Sequence, residues 1–202
     1  MNVPYYLCIQ YIYYDTIKPD ILHEKWYNSY MIFTNIEGGL MKPTTLVFPI
    51  DSDNRILLGR KKRGFGADKY NGFGGKIQRG ENFRACAVRE LYEESGIRVS
   101  PDDLECVAFF DFQFPYDESL THVGYVYFVH VHHVTAIESD EMEPHWFHID
   151  TIPYEHMWAG DRTWLPLLLQ GRKLKGPIVF GPDNNDVAFM KLTDVGTVME
   201  SE

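Results

Sequence analysis

Three closely spaced glutamates are the residues of this sequence most suited to metal chemistry. Glu90, Glu93 and Glu94 stand at positions i, i+3 and i+4 of a segment with helix-forming composition. At about 100° per residue, their side chains cover roughly a 100° arc of one helix face. Like charges at this spacing repel one another, so a bound cation would turn a cost into a gain. Oxygen ligands without histidine or cysteine favour magnesium, manganese or calcium over zinc.

A solvated acidic helix face is the ordinary alternative for such a run of charge. Two neighbouring features argue against it. Arg89 lies beside the cluster, where it can orient a carboxylate, and Glu81 begins the helix behind a glycine-rich turn. Six glycines lie between Lys61 and Gly80, a density typical of tight turns and of close backbone approach to a ligand. Magnesium prefers to share its coordination shell with substrate phosphates.

The surrounding elements would position these groups in an α+β fold. We predict a helix over residues 81–95, ending at Gly96, and a second helix over 161–170, with Asp161 or Thr163 as its cap. Apolar and β-branched runs predict a hairpin of residues 44–50 and 55–58, followed by strands at 107–114, 123–134 and 144–149. Residues 152–160 are expected to form a loop. Strands mixed with two helices favour an α+β sandwich over a doubly wound sheet.

The segment Gly75–Ile97 also carries a family signature. Its fixed positions are filled by Gly75, Glu81, Arg89, Glu90, Leu91, Glu93, Glu94, Gly96 and Ile97. This pattern resembles the Nudix hydrolase family, which hydrolyses nucleoside diphosphates linked to another group and uses a divalent metal. The resemblance implies an α/β/α sandwich with a mixed β-sheet. It also implies Mg²⁺ as the cofactor, with Mn²⁺ as the alternative.

Further segments resemble one branch of that family, the oxidised purine nucleoside triphosphatases or 8-oxo-dGTPases. They are Lys61–Ala67, Asn71–Lys76, Glu138–Met142 and the run from Ile152 to Gln170. The likeness extends from about Thr44 to Phe180. It implies hydrolysis of 8-oxo-dGTP-like nucleotides to the monophosphate and pyrophosphate, which sanitises the nucleotide pool and prevents DNA damage.

The resemblance also implies roles for single residues. The metal would be held by Glu90, Glu93, Glu94, the carbonyl of Gly74 and Glu141. Either Glu93 or Glu141 would accept a proton from water, and Arg89 would orient the carboxylates. The base would be recognised by Asn71, Trp158 and Asp161, in a pocket closed by Phe65, Phe73, Phe112 and Met142. Thr45, Lys61 and Lys76 would lie near the nucleotide and its phosphates.

One position departs from the branch pattern. Two adjacent acids usually follow the pocket tryptophan, whereas here Gly160 replaces the first and Asp161 keeps the second. The metal chemistry is untouched by this change. The range of accepted bases is what it affects.

Composition limits the partners. The chain has 202 residues, a formal net charge of −10 and a pI near 5.2. Because binding of DNA or RNA polymers needs a basic surface, we expect a small nucleotide substrate and no nucleic-acid polymer. Three cysteines without CxxC spacing disfavour a zinc site or a disulfide framework. The sequence has no run of about 18 apolar residues, so we expect no membrane partner. We expect a monomer in the cytoplasm, with the nucleus or mitochondria as further compartments.

Two alternative functions remain open, and the sequence also predicts a domain boundary. The chain could act on an ADP-sugar or a dinucleotide instead, or could be a non-catalytic nucleotide-binding module. The intact glutamate set argues against the second option. We predict an N-terminal extension of unknown role over residues 1–40 and a Nudix domain over 41–202. His122, His130, His132 and His133 are expected to be structural or surface residues, and Trp146 and Trp164 to be core residues.

Overall fold

The computed structural model describes residues 43–200 of the chain, which form one compact unit. The predicted boundary near residue 40 lies outside the described residues and stays a prediction. The strands are β1 Thr44–Asp51, β2 Arg55–Lys61, β3 Tyr70–Asn71, β4 Leu104–Gln113, β5 His122–Val131, β6 Met142–His148, β7 Leu174–Phe180, β8 Val187–Met190 and β9 Thr193–Asp194. The helices are α1 Phe83–Ser95 and α2 Asp161–Leu169. Short 3₁₀ turns at Pro101–Asp103, Glu118–Leu120, Ile149–Thr151 and Tyr154–His156 join them.

All the described strands belong to one mixed sheet. Its order is β3-β2-β1-β5-β4-β7-β8, while β6 pairs with β2 and β9 pairs with β7. The β1/β5 and β4/β7 pairs are parallel, and the remaining pairs are antiparallel. The mixed sheet confirms the prediction from the sequence.

The two helices pack on opposite faces of this sheet. Phe83 of α1 meets Tyr125 of β5 with ring centroids 4.4 Å apart. On the other face, Trp164 of α2 packs against Phe48 at 6.0 Å and Phe110 at 5.3 Å. Successive side chains of a strand point to opposite faces, so β1 and β5 contribute to both helix–sheet layers. This arrangement is an α/β/α sandwich, and the core position of Trp164, 1% exposed, matches the expectation.

Local capping explains where each helix begins and ends. The side chain of Asn82 accepts a hydrogen bond from the Ala85 N–H at 2.8 Å, so α1 begins at Phe83 rather than at residue 81. Gly96 ends it with φ of 72°. For α2 the predicted caps were wrong. Gly160 occupies the cap position without a side-chain bond, and Asp161 is the first helical residue.

The C-terminal strands β7 to β9 and the tail after them were not predicted from the sequence. The tail is tied to the layer that holds α1. Glu200 accepts hydrogen bonds from the Tyr127 hydroxyl and from Arg84, both at 2.6 Å, and the Met199 carbonyl accepts from the Tyr125 hydroxyl at 3.1 Å. The described end of the chain is therefore part of the folded domain. Between residues 43 and 200, neither helix has the length and apolar character that a membrane crossing requires.

Candidate active site

The helix α1 presents the three predicted glutamates together with an arginine that binds two of them. Arg89 donates to Glu81 at 2.8 Å, to Glu90 at 2.8 Å and to Glu93 at 3.1 Å. Hydrogen bonds to Glu81, and then to Glu90, raise the pKa of Arg89, while the bond to Arg89 lowers the pKa of Glu81. The guanidinium therefore holds the carboxylates of Glu81, Glu90 and Glu93 in place. Glu81 is part of the sequence signature, but its contact with Arg89 was not predicted from the sequence.

Glu94 is the most deeply placed of the acids on this helix. It is 6% exposed and accepts a hydrogen bond from the Gly74 N–H at 2.8 Å. Burial raises its pKa to about 8, against the Gly74 hydrogen bond and the charge of Lys61, while Glu90 and Glu141 push it further upward. Burial also raises the pKa of Glu90. Both acids therefore lie where a positive charge would stabilise their ionised forms.

The glycine-rich loop fits tightly against these acids. A side chain on Gly74 would collide with the carbonyl oxygen of Thr45, and one on Gly75 would collide with the Glu90 carboxylate. The loop is hydrogen-bonded to β1, because the Thr45 N–H donates to the Gly75 carbonyl at 3.0 Å. Glycine is needed at both positions because the backbone itself lies against the strand and the helix.

The donor set of this region fits a hard divalent cation. Its candidate ligands are carboxylate and carbonyl oxygens, and two of the acids have pKa values raised by burial and by repulsion from neighbouring carboxylates. Within residues 43–200, no three His, Cys, Asp or Glu side chains already converge as a complete ligand set. Arg89 accounts for part of this, since it engages Glu90 and Glu93. Cation binding would have to compete with those ion pairs.

Glu141 approaches from the loop before β6, on another part of the sheet. Its carboxylate is paired with Arg63 at 3.0 Å and is half-exposed. Its charge acts on Glu94, which places it on the acidic side of the site. Glu93 is also half-exposed and paired with an arginine. The geometry thus leaves both residues as candidates for accepting a proton.

A cluster of aromatic rings lies beside the N-terminus of α2, and we name it the aromatic pocket. Trp158 contacts Phe65 at 4.8 Å and Phe180 at 5.9 Å between ring centroids. Phe114 contacts Phe65 at 5.7 Å and stacks on Phe180 at 4.3 Å. The ammonium of Lys69 lies 5.1 Å from the centre of the Trp158 ring. Phe65 and Trp158 were expected together, whereas Phe114, Phe180 and Lys69 were not assigned to a pocket.

The acid of this pocket is Asp161. It is 4% exposed and accepts a hydrogen bond from the Trp158 N–H at 3.2 Å. Burial raises its pKa to about 7, although the Trp158 N–H and the charge of Lys69 act in the opposite direction.

The side-chain oxygen of Asn71 accepts from the Gly72 N–H at 2.9 Å, which leaves its amide NH₂ for another partner.

The remaining predicted site residues lie in the interior, near the acids of α1 or near the aromatic pocket. Thr45 is 3% exposed, with its hydroxyl 3.5 Å from the Cys86 sulfur, so it faces α1. Phe73 and Met142 are buried and surround Gly59, where they form an interior wall. Phe112 is half-buried and contacts Phe110 at 5.8 Å. Lys61 lies close enough for its charge to act on Glu94, and the Lys76 carbonyl lies 3.4 Å from Arg89.

Comparison with known proteins finds a family model and curated relatives that this chain matches. Residues 40–168 match the family model described as NUDIX domain. The chain is 45% identical over 141 residues to the oxidized purine nucleoside triphosphate hydrolase of Mus musculus, covering 70% of this chain and 88% of that protein. It is 45% identical over 139 residues to the protein of the same name from Danio rerio, covering 69% and 86%.

A solved structure shows the same fold. The mutator MutT protein from Bacillus halodurans superposes with a TM-score of 0.63 at 23% identity, covering 75% of this chain and 97% of that one.

Proposed function

The chain belongs to the Nudix hydrolase family, and we propose that it hydrolyses oxidised purine nucleoside triphosphates such as 8-oxo-dGTP. The products would be the nucleoside monophosphate and pyrophosphate, and the role would be sanitation of the nucleotide pool. The observation that carries the proposal is the pairing of two sites in one domain. Arg89 organises an acidic face on α1, and an aromatic pocket with one buried acid lies at α2.

We propose that the phosphates bind at the acidic face. Glu90, Glu93, Glu94, Glu141 and the Gly74 carbonyl would hold Mg²⁺, or Mn²⁺ in its place, while Lys61 and Lys76 add positive charge near the phosphates. When bound, the ion would neutralise phosphate charge and make an attacking water more acidic. Glu93 or Glu141 would accept the proton of that water. Arg89 fixes the carboxylates so that little reorganisation is needed during the reaction.

We propose that the purine binds in the aromatic pocket. Trp158 offers a ring face for stacking, and Asp161, when ionised, presents acceptors to the N1–H and exocyclic amino group of a guanine-type base. The amide NH₂ of Asn71 is a donor that suits a carbonyl oxygen of the base. A buried polar pocket discriminates strongly because mismatched groups stay unpaired.

Activity across a nucleotide panel tests the function directly. Release of pyrophosphate with Mg²⁺ would be measured for 8-oxo-dGTP, dGTP, 2-oxo-dATP, an ADP-sugar and a dinucleotide. We expect the largest kcat/KM for an oxidised purine triphosphate. Faster turnover of the ADP-sugar or dinucleotide would replace this substrate with another of the family. If the folded protein showed no Mg²⁺-dependent turnover of any of these nucleotides, the result would instead support a non-catalytic nucleotide-binding module.

Gly160 is expected to sharpen the preference for 8-oxo-dGTP over 2-oxo-dATP. A β-carbon there would lie 3.2 Å from Met190, 3.5 Å from Val187 and 3.6 Å from Ile178. An acid placed among these apolar groups would tend to keep its proton, which it could share with Asp161 to match an adenine-type edge. We therefore expect Gly160→Asp to lower the ratio of kcat/KM for 8-oxo-dGTP to kcat/KM for 2-oxo-dATP about tenfold, the effect of one hydrogen bond.

The matched control for this variant is Gly160→Ala. It adds the β-carbon without the acid, and the helical φ of −69° at this position tolerates alanine. The ratio should stay at the value of the unmodified protein. Equal kcat/KM for the two substrates before any substitution would contradict the role assigned to Gly160.

Residues 1–40 are expected to be dispensable for catalysis. Every residue of the two sites lies between Thr45 and Phe180, inside the compact unit that begins at Pro43. A chain beginning at Met41 should therefore keep kcat/KM within a few fold of the full chain. A folded, soluble but inactive shortened protein would show that the extension takes part in the chemistry.

The cellular setting is also a proposal. We propose a monomer that works in the cytoplasm, with the nucleus or mitochondria as further compartments, on a free nucleotide rather than on a nucleic-acid polymer or a membrane. The net charge of −10 supports the exclusion of polymers because a phosphate backbone would be repelled. Light scattering of the purified protein and fluorescence imaging of the tagged full chain would test both statements.

A further inference from the structure

His122 lies next to the aromatic pocket and contacts its Phe114, although its sequence context predicted a structural or surface residue. It begins β5 directly opposite Phe112 of β4. Its imidazole stacks on Phe112 at 4.9 Å and lies nearly parallel to Phe114 at 6.2 Å. Phe114 in turn contacts Phe65, which contacts Trp158. A continuous series of rings therefore joins this histidine to the proposed purine site.

The hydrogen bonding of His122 fixes its tautomer. Nδ1 lies 2.6 Å from the Leu120 carbonyl oxygen, which can only accept, so Nδ1 carries a proton. Burial lowers the pKa of His122, and the charge of Lys76 acts in the same direction. The ring is therefore neutral near pH 7, and Nε2 is a pure acceptor. Between residues 43 and 200, Nε2 has no hydrogen-bond partner.

A pure acceptor distinguishes an oxidised purine from a normal one. In guanine, N7 carries a lone pair and accepts hydrogen bonds. In the 8-oxo form, C8 carries a carbonyl and N7 carries a hydrogen, so N7 becomes a donor. Nε2 of a neutral imidazole would pair with that N7–H, whereas it would face the lone pair of unmodified N7 without a bond. Such a mismatch inside a pocket is costly because neither group is satisfied.

The place of His122 suits this edge of the base. Asp161, at the start of α2, is proposed to bind the N1–H and amino edge, which is opposite N7 across the purine. His122 lies at the start of β5, opposite Phe112 of β4, where the charge of Lys76 reaches it. Lys76 is proposed to lie near the phosphates, and N7 belongs to the ring that carries the sugar. The two residues can therefore read two different edges of one base.

We propose that His122 is a specificity-determining residue whose Nε2 accepts a hydrogen bond from N7–H of an 8-oxopurine. This inference rests on the proposed function and adds to it the group that detects oxidation at C8. It predicts that His122 strengthens binding of the oxidised nucleotide and contributes nothing favourable to binding of the normal one.

Binding of the two monophosphate products tests the proposal without catalysis. The dissociation constants of 8-oxo-dGMP and dGMP would be measured by calorimetry, and their ratio is the readout. His122→Phe keeps an aromatic ring on Phe112 but removes the acceptor. We expect it to weaken 8-oxo-dGMP about tenfold, the effect of one lost hydrogen bond, and to leave dGMP unchanged. His122→Gln, whose amide oxygen can accept, should recover part of the ratio.

His130→Phe is the matched control, because His130 is an exposed histidine of the same strand and should leave the ratio unchanged. Equal weakening of both nucleotides by His122→Phe, or no change at all, would overturn the proposal and leave the proposed function standing. If the unmodified protein showed no preference for 8-oxo-dGMP, the proposed function would fail together with it.

A spectroscopic measurement on the unmodified protein keeps the proposal testable if His122→Phe does not fold. The ¹⁵N resonance of the His122 Nε2 should move upfield when 8-oxo-dGMP binds, since an accepted hydrogen bond shifts an unprotonated imidazole nitrogen. It should stay nearly constant with dGMP. An unchanged Nε2 resonance at saturating 8-oxo-dGMP would overturn the proposal.

Discussion

Replacement of Glu94 with glutamine is expected to lower kcat at least about a hundredfold at saturating Mg²⁺, while the domain stays folded. Glu94 is the buried acid of the proposed metal site, and its carboxylate is held by the Gly74 N–H at 2.8 Å. Loss of a metal ligand or of comparable electrostatic stabilisation typically costs about this factor. Steady-state release of pyrophosphate from 8-oxo-dGTP measures it. Retention of more than about a tenth of kcat would contradict the metal-site assignment.

The same variant should gain stability in metal-free buffer at high pH. Burial raises the pKa of Glu94 from 4.5 to about 8, so the native state binds this proton more tightly than the unfolded chain. The stability contributed by Glu94 is therefore fully present below pH 4.5 and is lost as pH rises through about 8. Glutamine has no such dependence. Near pH 9, we expect Glu94→Gln to melt above wild type.

A control substitution separates the site from the general effect of a lost carboxylate. Glu105→Gln changes an acid of β4 that pairs with Lys173. Its kcat should stay close to that of wild type, and its melting temperature should show no comparable gain at high pH. A similar loss of activity in both variants would indicate that Glu94 acts through overall charge.

Replacement of Asp161 with asparagine is expected to lower kcat/KM for 8-oxo-dGTP about a hundredfold. Asparagine can still accept from the Trp158 N–H, so the local fold should persist. Its NH₂ group, however, would face the N1–H and amino donors of a guanine-type base. Leaving such buried groups unpaired costs enough free energy for this loss. Asp150→Asn, which changes an exposed carboxylate, should have no comparable effect.

The pH dependence gives a second test of Asp161. Burial raises its pKa from 3.8 to about 7, so the acid ionises only as pH passes through about 7. Because two acceptors are needed on this side chain, kcat/KM for 8-oxo-dGTP should rise with pH to a plateau above that value. In Asp161→Asn this step should be absent. A step that persists there would assign the titration to another group.

Much of the proposed metal site was predictable because its information is local. The glutamates, Arg89 and the glycine loop lie within about twenty residues of one another, and helical periodicity alone puts the acids on one face. The helix itself began two residues later than predicted, since the Asn82 side chain, and not Glu81, caps it. Glu81 turned instead to Arg89, a contact that composition does not indicate.

The aromatic pocket was predicted only in part because it is assembled from distant segments. Trp158, Asp161 and Phe65 were identified by their resemblance to family motifs, and not by any periodicity of this chain. Phe180 belongs to β7, a strand that was not predicted from the sequence, so no local signal could place it against Trp158. Phe114 followed Phe112 at a strand spacing and could have been found from that pattern.

By itself, the sequence determined the family and the acidic face of α1, because these depend on residue types at short, regular spacings. The mixed α/β/α fold followed from the resemblance to that family. Only the tertiary structure decided which acids are buried, since the raised pKa values of Glu94 and Asp161 arise from desolvation by segments far away in the chain. It likewise placed His122 against Phe112 and Phe114. The sequence around a histidine on a strand does not indicate which rings pack against it, because those rings come from another strand.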